Sequence, residues 1–202
     1  MESLLFFWFS WILWVLISFF YEKSLARFYL AAAVLVGMIV YPLSWSGESY
    51  TVPFAFGVAL ITAIVWAGNV PKKRWLALIV CALSLMFMYA AIELAYWFSP
   101  VIFYAHDVWV PAAAIFFLTV FVYRYRDSRY PLAMLALCFG ELLTGWVLVP
   151  LREGLFIADA LFFNRLTAVL VLFVVWHMIE SLVQRAGQYQ HHSRRKKVTL
   201  SA

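Results

Sequence analysis

The chain has 202 residues, of which 66% are hydrophobic and only 12% are charged. Soluble domains carry about twice that share of charged residues, so this chain lacks the polar surface of a soluble protein and requires lipid as its solvent. Its net charge of +5 could indicate nucleic-acid binding. However, the basic residues lie at the ends of apolar runs, where membrane orientation and anionic lipid headgroups explain them better and nucleic acid is not needed.

Seven apolar runs follow one another along the chain, separated by short polar gaps. They cover residues 3–21, 28–45, 52–70, 75–98, 108–123, 130–149 and 160–183. About 20 apolar residues cross a bilayer as a helix, and open strand edges cannot lie in lipid. The sequence therefore predicts an all-α bundle of seven transmembrane helices over residues 1–183. A basic cytoplasmic tail, predicted to be disordered, follows over residues 184–202.

The basic residues are distributed unevenly between alternate gaps. Of the 15 Lys and Arg residues, all but Arg152 and Arg165 lie in the first, third and fifth gaps or in the tail. Lys and Arg in short loops mark the cytoplasmic face of a membrane protein. The N-terminus is therefore predicted to lie outside and the C-terminus inside. An even number of helices would break this alternation.

Glu141 lies near the middle of the sixth run, next to Gly140 and four residues before Gly145. A charged side chain at mid-bilayer costs several kcal/mol, roughly 2.5–3.5 on insertion scales for comparable residues. The side chain is therefore expected to face the bundle interior. Two interpretations remain open: a site for a proton or a substrate cation, and a structural carboxyl group bonded to a neighbouring helix.

A second group of polar residues lies toward the predicted outer side. Glu93 and Arg165 share a depth, so we expect them to pair, although Glu141, Glu153 or Asp159 could also reach Arg165. The apolar stretch 154–158 is expected to lie against the membrane surface. The complete predicted cluster is Glu93, Glu141, Arg152, Glu153, Asp159, Asn164 and Arg165. We favour a structural ion-pair network over an active site, since ion pairs alone do not imply activity.

His177 and Glu180 lie three residues apart in the seventh run and share a helix face. Such a pair can bind metal in carboxylate bundles, but only with matching ligands on other helices, and the sequence has no second motif of this kind. Interfacial snorkelling or a local hydrogen bond is the favoured interpretation. The tail residues His191 and His192 precede a basic stretch and are interpreted as a contact with anionic headgroups.

The sequence contains none of the standard catalytic or transport motifs. There is no Lys inside an apolar run for a retinal Schiff base, and no HExxH, Gly-x-Ser-x-Gly or Walker A sequence. We therefore expect no enzymatic activity and no cofactor. The favoured function is an accessory or scaffold protein of the cell membrane, with another membrane protein as a partner. The alternatives are a small transporter or proton-coupled carrier and, third, an enzyme that modifies lipids.

The opening Phe6-Phe7-Trp8-Phe9-Ser10-Trp11, the length near 200 residues and the basic tail together resemble the YphA-type family of small multi-pass membrane proteins of spore-forming bacilli. The resemblance covers the whole chain and rests on its architecture. It implies location in a bacterial cytoplasmic membrane. It transfers no activity and no functional residues to this sequence.

Overall fold

A computed structural model describes residues 4–20, 23–47, 50–98, 108–151 and 155–199. Within these residues the chain forms seven helices: α1 (Leu4–Phe20), α2 (Leu25–Val40), α3 (Phe54–Gly68), α4 (Trp75–Phe98), α5 (Trp109–Val122), α6 (Arg129–Leu148) and α7 (Ala160–Thr199). Each helix overlaps one of the seven apolar runs. Prolines account for several of the boundaries, because proline is tolerated at a helix start but interrupts a helix interior. Pro42 follows α2, Pro53 precedes α3 and Pro71 precedes the turn that leads into α4.

A small sheet joins two of the connections, which corrects the all-α prediction. Its three strands are β1 (Ser44–Ser46), β2 (Tyr50–Pro53) and β3 (Leu155–Phe156). β1 pairs with β2 antiparallel, and β2 pairs with β3 parallel. The sequence places residues 44–45 and 52–53 at the ends of helices, because open strands cannot lie in lipid. That argument applies to the hydrocarbon region and does not exclude strands at the ends of helices.

The two ends of the bundle differ in composition. We name the end that holds β1, β2 and β3 the sheet end. The opposite end, which carries Lys23, Lys72, Lys73, Arg74, Arg126 and Arg129, we name the basic end. The connections α2–α3 and α6–α7 meet at the sheet end through β2 and β3. At the basic end, Arg74 lies over the Tyr125 ring, 4.2 Å from its centroid, which joins the α3–α4 and α5–α6 connections.

α6 and α7 stand at the centre of the bundle and divide it into two sides. On one side α4 and α5 pack closely against them, and the contact between α4 and α6 is the most extensive in the molecule. On the other side α1, α2 and α3 complete a ring in which α1 packs on α7 and α3 packs on α6. We call these the closed side and the hollow side, because a large cavity lies within the second ring.

Helix length varies through the bundle. Among the residues that the structure describes, three helical segments are long and apolar enough to cross a membrane: Lys72–Phe98, Arg129–Leu148 and Ala160–Ser181. The apolar helices α1, α2, α3 and α5 are shorter, with 14 to 17 residues each. At 1.5 Å per residue, 14 to 17 residues extend about 21–26 Å, compared with about 30 Å of hydrocarbon in a bilayer.

α7 continues beyond its apolar run. Its backbone is helical to Thr199. The tail before Thr199 contains no proline to interrupt the helix. The division into a membrane domain and a cytoplasmic tail over residues 184–202 stays a prediction.

Gly140 allows α4 and α6 to approach closely. A Cβ atom at this position would lie 2.7 Å from Cδ1 of Tyr89 and 3.1 Å from the backbone oxygen of Met86. We expect Gly140→Ala to lower the free energy of unfolding by about 1–3 kcal/mol through overpacking, despite the better helix propensity of alanine. Thermal unfolding in detergent measures the effect. Gly57→Ala is the matched control, because a Cβ there meets no atom within 4 Å. Equal melting temperatures for the two variants would contradict the prediction.

Candidate functional site

The predicted pair between Glu93 and Arg165 is confirmed. Nη1 of Arg165 on α7 donates to Oε2 of Glu93 on α4, and both residues are buried, with exposed fractions of 1% and 7% respectively. The guanidinium also lies 5.6 Å from the centroid of the Tyr96 ring, within the range of a cation–π contact. The pair therefore joins α4 to α7 with opposite charges that lipid and water do not reach.

Glu141 faces the bundle interior, as predicted. Its Oε2 accepts a hydrogen bond of 3.0 Å from the Tyr89 hydroxyl on α4, and its Oε1 accepts one of 2.9 Å from the backbone N–H of Ala158. Tyr89 lies four residues before Glu93 and therefore on the same face of α4. Both oxygens of the Glu141 carboxyl group have partners, and the residue is only 8% exposed.

The Tyr89 hydroxyl connects these two contacts into one chain of polar groups. It donates to Glu141 and also interacts with the Arg165 side chain. The order is Glu93, Arg165, Tyr89, Glu141 and the Ala158 N–H, and we refer to these five groups as the polar chain. It connects α4, α6, α7 and the connection before α7 within the closed side. In a low-dielectric interior, polar groups that satisfy one another avoid the large cost of burying any one of them alone.

The sheet places Ala158 where it reaches Glu141. The backbone N–H of Ile157 donates to the Thr51 oxygen at 3.0 Å, which extends the pairing of β2 with β3. Ala158 then takes a left-handed conformation with φ of 57°, which is unfavourable for an L-residue. Ile157 and Ala158 are buried, and Ile157 contacts the position that a Cβ of Gly145 would occupy. Residues 157–158 therefore enter the bundle. The prediction that the stretch 154–158 lies on the membrane surface is wrong for these two.

The remaining members of the predicted outer cluster have different positions. Asp159 is exposed, and its Oδ1 accepts from the backbone N–H of Phe162 at 3.1 Å, as an N-terminal cap of α7. Asn164 is buried, with an exposed fraction of 2%, next to Arg165. Arg152 and Glu153 lie outside the described residues.

Glu180 belongs to a separate ion-pair group at the basic end. It forms salt bridges with Arg126 and Arg129 and accepts a hydrogen bond of 2.7 Å from Nε1 of Trp176. His177 is exposed, and its backbone oxygen accepts from Arg126 at 3.0 Å. The described residues contain no group of three or more His, Cys, Asp or Glu side chains placed to hold a metal ion. The sequence analysis did not predict that Arg126 and Arg129 bind Glu180. Both arginines lie in the fifth gap, at the same membrane depth as Glu180, and this position could have indicated the contact.

A cavity of about 860 Å³ occupies the hollow side, among α1, α2, α3, α6 and α7. Among the described residues its lining is mainly apolar and includes none of Glu93, Glu141 and Arg165. The polar chain and the cavity therefore lie on opposite sides of the α6–α7 centre.

The described helices are apolar and enclose the buried polar chain, and three of them are long enough to cross a bilayer. These features are typical of an integral membrane protein. The chain matches the family model of the YphA-like integral membrane proteins over residues 2–199 and belongs to that family. The resemblance found in the sequence is thereby confirmed. A relative in Bacillus subtilis (strain 168), "Uncharacterized protein YphA", is 25% identical over 201 residues and is aligned over 100% of both chains. No solved structure matches the chain.

Proposed function

We propose that the protein is a non-enzymatic accessory or scaffold protein that crosses the bacterial cell membrane seven times. The observation that carries this proposal is the set of contacts along the polar chain, in which buried groups of three helices bind one another. Glu141 has two hydrogen-bond donors and is buried, and Arg165 has a carboxylate partner. These contacts fix helices relative to one another, which is what a rigid scaffold requires.

A protein that crosses the membrane seven times must also span it with the four shorter helices α1, α2, α3 and α5. A hydrophobic segment shorter than the bilayer core is accommodated by local thinning or by flanking residues, each at a modest cost. Exposed aromatic side chains support contact with lipid along α1, where Trp8, Trp11 and Phe19 are more than half exposed. On this model the basic end faces the cytoplasm, and the tail cations Arg185, Arg194, Arg195, Lys196 and Lys197 meet anionic headgroups.

The carrier hypothesis has less support from the geometry. A proton- or cation-coupled carrier needs its carboxylate to meet a water-filled path. Glu141 instead contacts Tyr89 and Ala158, and it does not belong to the lining of the cavity in the described part of the chain. The lipid-modifying enzyme hypothesis has no catalytic constellation among the described residues to carry it.

Co-purification and deletion test the accessory role. We expect the full-length protein to purify stably with a membrane protein whose activity falls when this protein is deleted. Activity should return with the wild-type chain and equally with Glu141→Gln, because a structural carboxyl group does not need to titrate. Substrate-dependent protection of Glu141 from carbodiimide, together with failure of Glu141→Gln to complement, would favour a carrier instead.

The orientation gives a separate prediction. A fluorescent protein fused after Ala202 should fluoresce in the bacterial cytoplasm, and alkaline phosphatase at the same position should be inactive, because the basic gaps remain on the cytoplasmic side. The matched control is the same pair of fusions after Ser46, at the sheet end, where the phosphatase should be active. Active phosphatase after Ala202 would rule out the seven-crossing model.

A further inference from the structure

The cavity of the hollow side extends along most of α1. Along α1 its lining extends from Phe6 to Phe20. At 1.5 Å per residue this corresponds to about 21 Å, longer than the roughly 15 Å of hydrocarbon in one bilayer leaflet. A volume of about 860 Å³ lies within the range of sites that bind small molecules, about 300–1,000 Å³.

The wall of the cavity suits an alkyl chain better than a polar solute. Its lining contains no Asp, Glu, Lys or Arg among the described residues. The two threonine hydroxyls in the wall are already engaged, since Thr62 donates to the Val58 oxygen and Thr167 to the Phe163 oxygen, each at 2.7 Å. At Gly37 a Cβ would meet no atom within 4 Å, so there is open space beside α2.

Aromatic rings close the cavity at the sheet end. Phe6 stacks on Tyr41 with ring centroids 4.7 Å apart, and Phe163 lies 5.2 Å from Phe6 and 5.3 Å from Tyr41. Phe6 and Phe163 line the cavity and are buried. A ligand that fills the cavity must therefore end in an apolar group at these rings.

The opposite end is polar and accessible. Ser24, His177 and Ser181 line the cavity at the basic end, and Ser24 and His177 are exposed. Lys23 precedes Ser24, is exposed and makes no ion pair among the described residues. The Ser181 hydroxyl already contacts the His177 backbone oxygen and Arg126, and the Ser24 oxygen accepts from the Arg27 N–H. The Ser24 O–H, the His177 imidazole and the adjacent cation Lys23 favour a ligand with an anionic head.

We propose that this cavity binds one long alkyl chain of a single-chain anionic amphiphile, of the fatty acid or lysophospholipid type. The chain methyl lies against Phe6, Tyr41 and Phe163, and the anionic head lies beside Lys23, Ser24, His177 and Ser181. Binding does not depend on the scaffold role or on the orientation in the membrane.

Photolabelling of the full-length protein in lipid nanodiscs tests the site. The probe is palmitate with a diazirine near its methyl end, and mass spectrometry maps the labelled residues. We expect labels near Phe6, Gly37 and Phe163, competed by palmitate and by palmitoyl lysophosphatidylglycerol but weakly by hexadecanol. Preferential competition by one of the two anionic ligands identifies the head, free carboxylate or phosphate. Labels distributed evenly over exposed positions such as Leu76 and Phe121 would overturn the proposal.

Two glycines provide a matched pair of variants. Gly37→Phe fills the closed end of the cavity, whereas Gly57→Phe places the same ring at an open position that does not line it. We expect Gly37→Phe to weaken palmitate binding about tenfold, the effect of excluding about two methylene groups, and to leave decanoate binding unchanged. Gly57→Phe should bind both like the wild type. Equal palmitate affinity for the two variants would show that palmitate does not bind in this cavity. An unchanged preference for anionic ligands in Lys23→Gln would show that the head does not lie beside Lys23.

Discussion

Arg165→Leu is expected to lower the free energy of unfolding by about 3–5 kcal/mol, the range for breaking one partner of a buried ion pair. The substitution leaves Glu93, which is 7% exposed, without its guanidinium, and it removes the group that links Tyr89 to α7. Thermal unfolding of the purified protein in detergent, with or without added denaturant, measures the change.

A double-mutant cycle separates this pair from general packing. Glu93→Leu alone should also destabilise strongly, because it leaves the Arg165 charge buried. The double variant should be less destabilised than the two single effects together, since it removes both charges and replaces them with apolar groups. Lys73→Leu, which removes an exposed cation, is the control and should have little effect. Additive effects of the two single variants would show that the pair contributes no coupling energy.

Glu141→Leu is expected to cost about 2–4 kcal/mol, taking roughly 1–2 kcal/mol for each donor left without an acceptor. The donors are the Tyr89 hydroxyl and the Ala158 N–H, both inside the bundle. Ala158 also loses the contact that holds its left-handed conformation. The expected result is a lower melting temperature and easier proteolysis after Phe156, measured in detergent.

Glu141→Gln keeps the shape and an acceptor oxygen for Ala158, and its amide can donate to the Tyr89 oxygen. Its stability should therefore remain close to wild type.

Trp146→Leu, on the exposed face of the same helix, is the matched control for Glu141→Leu. A Glu141→Leu variant as stable as Trp146→Leu would refute the structural role. A spin label at position 141 that contacts acyl chains would refute its interior position.

Much of this architecture follows from the composition of the chain and from the spacing of its apolar and charged residues. Each of the seven helices overlaps one apolar run, because a long apolar segment away from water must satisfy its own backbone, and only a helix does so without neighbours. The interior position of Glu141 and its separation from lipid follow from the cost of an unpaired carboxyl group in hydrocarbon. The pairing of Glu93 with Arg165 could be predicted because both residues lie at one depth, although depth alone left Glu141, Glu153 and Asp159 as other carboxylates that could reach Arg165.

Other features depend on contacts between residues that are distant in the chain. The sheet forms because β3 pairs with β2 across about 100 residues, and strand pairing of that range has no periodic signal in the sequence. The same pairing brings Ala158 to Glu141. The packing of the α5–α6 connection and the start of α6 beside α7 brings Arg126 and Arg129 to Glu180.

Hydrophobicity determined by itself that this is a helical membrane protein and which side chains must avoid lipid, because transfer between water and lipid depends on composition and spacing. Only the tertiary structure decided which groups meet Glu141 and Glu180 and where the bundle stays hollow. Helices of equal hydrophobicity can pack closely, as α4 does on α6 at Gly140, or can stand apart around a cavity, as α2 does at Gly37. The difference lies in which small residues meet across an interface, and no single segment contains that information.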